Sequence, residues 1–179
     1  PRAGENPNGP YQPETLVMMD FMDTLGISLS ANFHGGTEVM NYPWDTWYQA
    51  EEIHSDQDWF IYICREYADT AQNYSPEGYM NPGWSDNGIT NGAAWYRISG
   101  GRQDYVTYFL RGREVTMEIS VPKFPEPSAL GQYWEYNRRS LLSYLEQAMF
   151  GIQGFVRDAA TGEPLVSKIE IPGHDRALY

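Results

Sequence analysis

Three histidines are the first residues to weigh, because an imidazole can hold a metal or carry a proton near neutral pH. They are His34, His54 and His174. His34 follows Ile27 to Phe33, whose alternating apolar and small residues predict a buried strand, and it precedes Gly35-Gly36. Such a position fixes a side chain at the carboxyl edge of a sheet, and the glycine pair lets another group approach the backbone. His34 is therefore either a chemical group or a histidine satisfied by hydrogen bonds at a strand end. His54 stands at helical spacing from Glu51, which gives either a metal corner or a solvated acidic helix start. His174, near the C-terminus, reads as surface. Glu118 lies among apolar neighbours in Thr116-Met117-Glu118-Ile119-Ser120, where an uncompensated charge costs several kcal/mol. It needs a function, or a salt bridge to Arg113 or Arg139. Tyr96 precedes the hinge-like Ser99-Gly100-Gly101 and suits either a mobile lid or ordinary packing. The single cysteine, Cys64, can form no internal disulfide and reads as buried filler.

The elements that position these groups follow from pattern. Pro13 opens a helix with the stripe Leu16, Met19, Met22 and Leu25, and Gly26 closes it. Asp56 is placed to cap a second helix through about Gln72, with Trp59, Ile63, Tyr67 and Ala71 inward. Residues 73–101 form a long Gly, Pro, Asn and Trp-rich stretch, expected to be a functional loop. Val115 to Val121 predicts a strand, and Ala129 to Phe150 the longest helix, with Leu130, Trp134, Leu141, Tyr144, Leu145 and Met149 inward. From Gly151 the pattern changes to two short alternating segments around Ala160-Thr-Gly-Glu-Pro164, a hairpin signal. The order predicts an α/β layer, residues 1–150, followed by the start of a small all-β module, residues 151–179.

Composition narrows the functions. The chain has 179 residues, enough for one ordinary domain, and its 15% aromatic content is that of a folded protein. Its 24 acidic against 12 basic residues would repel a phosphate backbone, so no nucleic-acid partner is expected. No stretch reaches the apolar length of about 18 residues that spans a bilayer, and a soluble chain is expected.

Ser30-Ala-Asn-Phe-His34-Gly-Gly-Thr-Glu-Val-Met-Asn-Tyr-Pro-Trp-Asp45 strongly resembles a zinc-ligand motif of the zinc metallocarboxypeptidases, in particular the regulatory branch that includes carboxypeptidases D, E, M and N. Gly88-Ile-Thr-Asn-Gly-Ala-Ala-Trp-Tyr96, Gly100-Gly-Arg-Gln-Asp-Tyr105, Glu114-Val-Thr-Met-Glu-Ile-Ser120 and Tyr133-Trp-Glu-Tyr-Asn-Arg-Arg-Ser-Leu-Leu142 match that family in order and spacing. Gly151 onward resembles the first strands of the transthyretin-like β-sandwich that follows the catalytic domain in this branch. The resemblance implies a mixed-sheet, partial carboxypeptidase fold. It makes His34 a zinc ligand, Glu118 the general base and Tyr96 the phenol that closes over substrate. Zinc lowers the pKa of its water and polarises the scissile carbonyl, while the carboxylate shuttles the proton to the leaving amine. Asp45 and Gln103 match positions that line a pocket for a basic C-terminal side chain, which suggests removal of C-terminal Lys or Arg from peptides or proteins.

One departure accompanies the match. The family takes two further zinc ligands from an upstream His-x-x-Glu motif, and no histidine here has Glu three places later. Its carbonyl-polarising arginine and the pair that holds the substrate carboxylate also lie upstream, and Arg2 is too near the start to fill those places. The chain is expected to carry the second half of a catalytic domain, to need the upstream half to complete one zinc site and to be inactive alone. Unpaired sheet edges make its isolated stability marginal. A non-catalytic peptide-binding module of the same fold is the alternative, and carbohydrate stacking on Trp44, Trp47, Trp84 and Trp95 is a third reading. The resemblance also implies a secreted or cell-envelope (periplasmic) setting, with any export signal upstream of Pro1.

Overall fold

The computed structural model describes residues 11–152 and 154–172, so the readings of His174 and Arg2 lie outside the described residues. Its centre is a strand with two chemically different faces. Along β4 (Arg113–Ser120), Glu114, Thr116, Glu118 and Ser120 alternate with Val115, Met117 and Ile119, so one face is polar and the other apolar. β1 (Leu29–His34) lies parallel to β4, with His34 opposite Glu118 and Asn32 opposite Thr116. β2 (Thr37–Tyr42) lies antiparallel on the other side, with Asn41 opposite Thr116. β3 (Ile89–Asn91) pairs parallel with β2 and completes the order β1-β4-β2-β3. The architecture is α/β, as the pattern predicts, and the sheet is mixed, as the resemblance implies.

The Gly35-Gly36 turn carries the chain from β1 across the end of β4 to β2. A Cβ at Gly35 would lie 3.0 Å from Ser120 Oγ and 3.1 Å from the Pro122 carbonyl, so glycine lets the two segments cross this closely without a shift. The Gly36 N–H donates to the Ser120 carbonyl at 2.7 Å and ties the turn to β4.

The apolar face meets α2 (Gln57–Asn73) and α5 (Leu130–Glu146). Phe60, Ile63, Cys64, Tyr67 and Ala71 pack there on Met40, Val115 and Met117. Cys64 is buried, in agreement with the sequence reading. Asp56 stands at the helix start but does not cap it; its carboxylate pairs with Arg113 instead.

Three expectations are corrected by packing. Leu130, Trp134, Leu145 and Met149 are exposed, and α5 buries Asn137, Ser140 and Tyr144. Those polar groups are bonded: Tyr67 Oη donates to Asn137 Oδ1 at 2.9 Å, and Ser140 Oγ donates to the Tyr67 carbonyl at 2.9 Å. Hydrophobic pattern misses a buried face whose polar atoms satisfy one another. In α1 (Pro13–Leu25), closed by Gly26 at φ 59°, only Met22 of the expected stripe is buried. Residues 73–101 are not structureless, because β3 and α3 (Gly92–Trp95) fall within them.

Beyond α5, Arg157 bridges antiparallel to Pro164 across a turn in which Asp158 Oδ1 accepts from the Ala160 and Thr161 N–H groups. This is the hairpin signal in its shortest form. Phe155 is 88% and Val166 96% exposed.

Candidate active site

The polar face of β4 is the floor of a cavity of about 150 Å³, and its lining includes His34, Asp45, Tyr96, Gln103 and Glu118. All five residues singled out from sequence therefore meet in one place. Asn32, Asn41, Arg102 and Thr116 complete its polar lining.

Glu118 is buried, and the parallel register sets it beside His34, whose Nδ1 lies 3.8 Å from Glu118 Oε1. Burial raises the carboxyl above its ordinary range, and the nearby His34 and Lys123 oppose that rise. Its other oxygen, Oε2, has no hydrogen-bond partner among the described residues. The salt bridge expected to Arg113 or Arg139 does not form. Arg113 is taken by Asp56, and Arg139 donates to the Glu135 carbonyl and stacks over the Tyr74 ring at 3.9 Å.

Asp45 is held by the chain around it. Asp104, fully buried on α4 (Arg102–Tyr108), accepts from the N–H groups of Asp45 at 3.0 Å and Thr46 at 2.9 Å. The Asp45 carbonyl accepts from Ile98 N–H at 3.1 Å, and Asn91 Nδ2 donates to the Pro43 carbonyl at 3.0 Å. Trp44 is buried in an aromatic cluster, with its ring centroid 5.4 Å from that of Trp47 and 5.0 Å from that of His54. The loop is thus fixed from three sides, and the Asp45 side chain points to the cavity.

There Gln103 Nε2 donates to Asp45 Oδ1 at 3.2 Å and Asn41 Nδ2 to the same oxygen at 3.4 Å. The amide oxygens of both, Asn41 Oδ1 and Gln103 Oε1, are buried without partners among the described residues. Burial, then the charge of Asp104, pushes the Asp45 carboxyl up to about 7. Space for this carboxylate depends on glycine: a Cβ at Gly92 would lie 1.8 Å from Asp45 Oδ1.

Tyr96 follows α3, and 54% of its surface is exposed over the cavity. Burial raises its phenol, and the charges of Glu118 and Asp45 add to the rise. Its ring packs edge-on to Trp95 at 4.7 Å.

His54 is neither a metal corner nor a solvated residue. It is buried, its Nδ1 accepts from Asp56 N–H at 2.9 Å, and Glu51 instead accepts from Tyr48 N–H and Arg97. Among the described residues no group of three His, Cys, Asp or Glu side chains could hold a metal ion. His34, with its side chain 55% exposed, offers one imidazole and does not by itself make a metal site.

The description "zinc carboxypeptidase" matches residues 1–140. This chain belongs to the zinc carboxypeptidase family. It is 41% identical to carboxypeptidase D of Anas platyrhynchos over 165 residues, which cover 88% of this chain and 12% of that one. It is 37% identical to carboxypeptidase M of Mus musculus, covering 94% of this chain and 40% of that one. With carboxypeptidase E of Caenorhabditis elegans it shares 37% identity, covering 86% and 35%. The chain thus spans well under half the length of these curated relatives, and the resemblance drawn from its motifs is borne out. Among the described residues no helix is long and apolar enough to cross a membrane.

Sequence reasoning missed Asn41, Asp104, Arg102 and Glu114. The alternation along β4 was the available signal for Glu114, which shares its face with Glu118. α4 carried no apolar stripe, because its buried residues are Gln103, Asp104 and Thr107 with Val106 alone apolar.

Proposed function

We propose that this chain carries the proton-transfer and specificity half of a zinc carboxypeptidase site that removes C-terminal Lys or Arg from peptides and proteins. The observation that carries this reading is the cavity floor at Asp45. The Asp45 carboxylate lines a space beside Asn41 and Gln103, whose buried amide oxygens have no partner among the described residues, and a guanidinium or ammonium entering it would bring donors to this acceptor-rich floor. An acceptor set buried without donors is costly until a ligand fills it.

Each further residue has a role in this reading. Glu118, buried and with Oε2 free, takes a proton from the attacking water and returns it to the leaving amine. Tyr96, exposed at the mouth, closes over the bound peptide. His34 is one ligand of a single zinc, which supplies Lewis acidity when bound. The other two ligands come from outside the described residues, in the family's His-x-x-Glu segment, and the open edge of β1 is where the upstream half adds to the sheet. Residues 151–179 begin a transthyretin-like β domain, a reading supported by the bridge at Arg157 and by apolar side chains such as Phe155 and Val166 that await a second layer. The setting is secreted or in the cell envelope.

The test is selectivity. Titration of the 15N-labelled chain with acetyl-Gly-Arg and acetyl-Gly-norleucine at pH 8, followed at the Gln103 side-chain amide, should favour the arginine peptide about tenfold. Asp45→Asn should abolish that preference. Equal affinity for the two peptides in the unsubstituted chain would sink the reading.

A further inference from the structure

The cavity proposed for a cationic side chain has a cation in its own wall. Arg102, the first residue of α4, lines it beside Asp45 and Glu118. Gly101, the preceding residue, presses on Asp45: a Cβ there would lie 3.2 Å from Asp45 Oδ2. An unneutralised guanidinium starting one residue away would compete with substrate for that carboxylate.

Glu114 holds that guanidinium. It is fully buried on the polar face of β4, four residues before Glu118, and its Oε2 accepts from Arg102 Nη2 at 3.1 Å. The same oxygen accepts from Ser30 Oγ at 2.5 Å, and Oε1 accepts from Asn32 Nδ2 at 3.4 Å. Asn32 in turn donates to Thr116 Oγ1 at 2.8 Å, so the carboxylate is fixed by β1 on one side while it holds Arg102 on the other. A buried charge held by three partners at one site has little freedom to move. Arg102, with its side chain 38% exposed, has no second anchor among the described residues, and its position follows that of Glu114.

We infer that the Glu114 and Arg102 pair sets the cation selectivity of this cavity: Glu114 draws the guanidinium against β4 and cancels its charge, leaving Asp45 to receive a Lys or Arg side chain. This rests on the proposed Lys/Arg pocket and names the residues that keep it negative. Glu114 acts through Arg102 and is a positioning residue.

The experiment extends the same titration, with acetyl-Gly-Arg and acetyl-Gly-norleucine, to three variants whose fold is checked by their amide spectra. Glu114→Gln keeps the shape but frees Arg102, and the preference for arginine should fall from about tenfold to about twofold or less. Glu114→Gln combined with Arg102→Gln removes the freed cation as well, and the preference should return. Arg102→Gln alone should raise it severalfold, and this variant carries the test if Glu114→Gln does not fold. An unchanged preference in Glu114→Gln, or no recovery in the double variant, overturns the inference while the Lys/Arg pocket stands. Equal weakening of both peptides by Arg102→Gln also overturns it, since Arg102 would then be holding the peptide's carboxylate. Absence of any preference in the unsubstituted chain removes both the pocket and the inference.

Discussion

Both sides of the sheet bury polar groups: the network under α5 closes on itself, whereas the other side holds open acceptors around Asp45 and Glu118 beside the closed network of Glu114. Under α5, Asn137 accepts from Tyr67 Oη, donates through Nδ2 to Tyr79 Oη at 2.6 Å and to the Tyr133 carbonyl at 2.9 Å, and Tyr79 Oη donates to the Ile119 carbonyl at 2.9 Å. Tyr144 Oη reaches across to the Ser30 carbonyl at 2.6 Å. On the other face Asn41 Oδ1, Gln103 Oε1 and Glu118 Oε2 have no partners among the described residues. A closed network stabilises and fixes one packing, whereas open acceptors weaken the fold unless a ligand supplies donors. The contrast separates residues that hold the molecule together from residues that face what it binds.

The comparison breaks most visibly at its closed side. Asn137→Ala should cost about 3 kcal/mol in urea unfolding, because it leaves the buried Tyr67 hydroxyl without its acceptor and also removes the bonds that Asn137 Nδ2 donates to Tyr79 Oη and the Tyr133 carbonyl. Gln103→Leu, at an equally buried position on the open side, should cost about 1 kcal/mol or less, since it loses one long bond to Asp45 and removes an orphaned oxygen. Similar costs for the two would erase the distinction.

A smaller effect sharpens it. Asp45 titrates at about 7 in the folded chain against an ordinary 3.8, so between those values the folded state holds a proton that the unfolded chain has released. Stability should therefore fall as pH rises from about 4 to about 7, and Asp45→Asn should flatten that slope by up to about 1.4 kcal/mol per pH unit, read from melts across the range. Asp104 and Glu114, which burial also raises, keep part of the slope in the variant. An unaltered slope would mean that Asp45 is not held in its buried, charge-crowded setting.

How much of this was legible in the sequence depends on which force placed each element. α1 is bounded where Pro13 and Gly26 say it should be, because those residues act through their own backbone. Its face was not legible: Leu16 and Leu25 are exposed although they follow helical spacing. α5 shows the converse, with its length plain and its buried side hidden, since Asn137 and Ser140 are inside only because partners on α2 bond them. β3 is three residues long and exists through its pairing with β2, a contact no local window contains. At the site, His34 and Glu118 announced themselves by strand position, and the parallel register then placed them side by side. Asp45 and Gln103 were reached through motif spacing, and their contact is tertiary. Glu114 and Arg102 escaped notice because a buried ion pair looks, in sequence, like two ordinary charges.

The central claim is that these residues form one half of a site, with its base and its specificity floor present and a single zinc ligand among the described side chains. The most direct measurement is the zinc content of the purified 179-residue chain, with release of arginine from an acyl-Gly-Arg peptide assayed on the same sample. Zinc well below one per chain, no arginine release, and arginine-selective peptide binding that survives chelator are the results this account predicts. One tightly held zinc per chain with chelator-sensitive release of arginine would contradict it, because the chain would then hold a complete site that His34 and Glu118 alone cannot make.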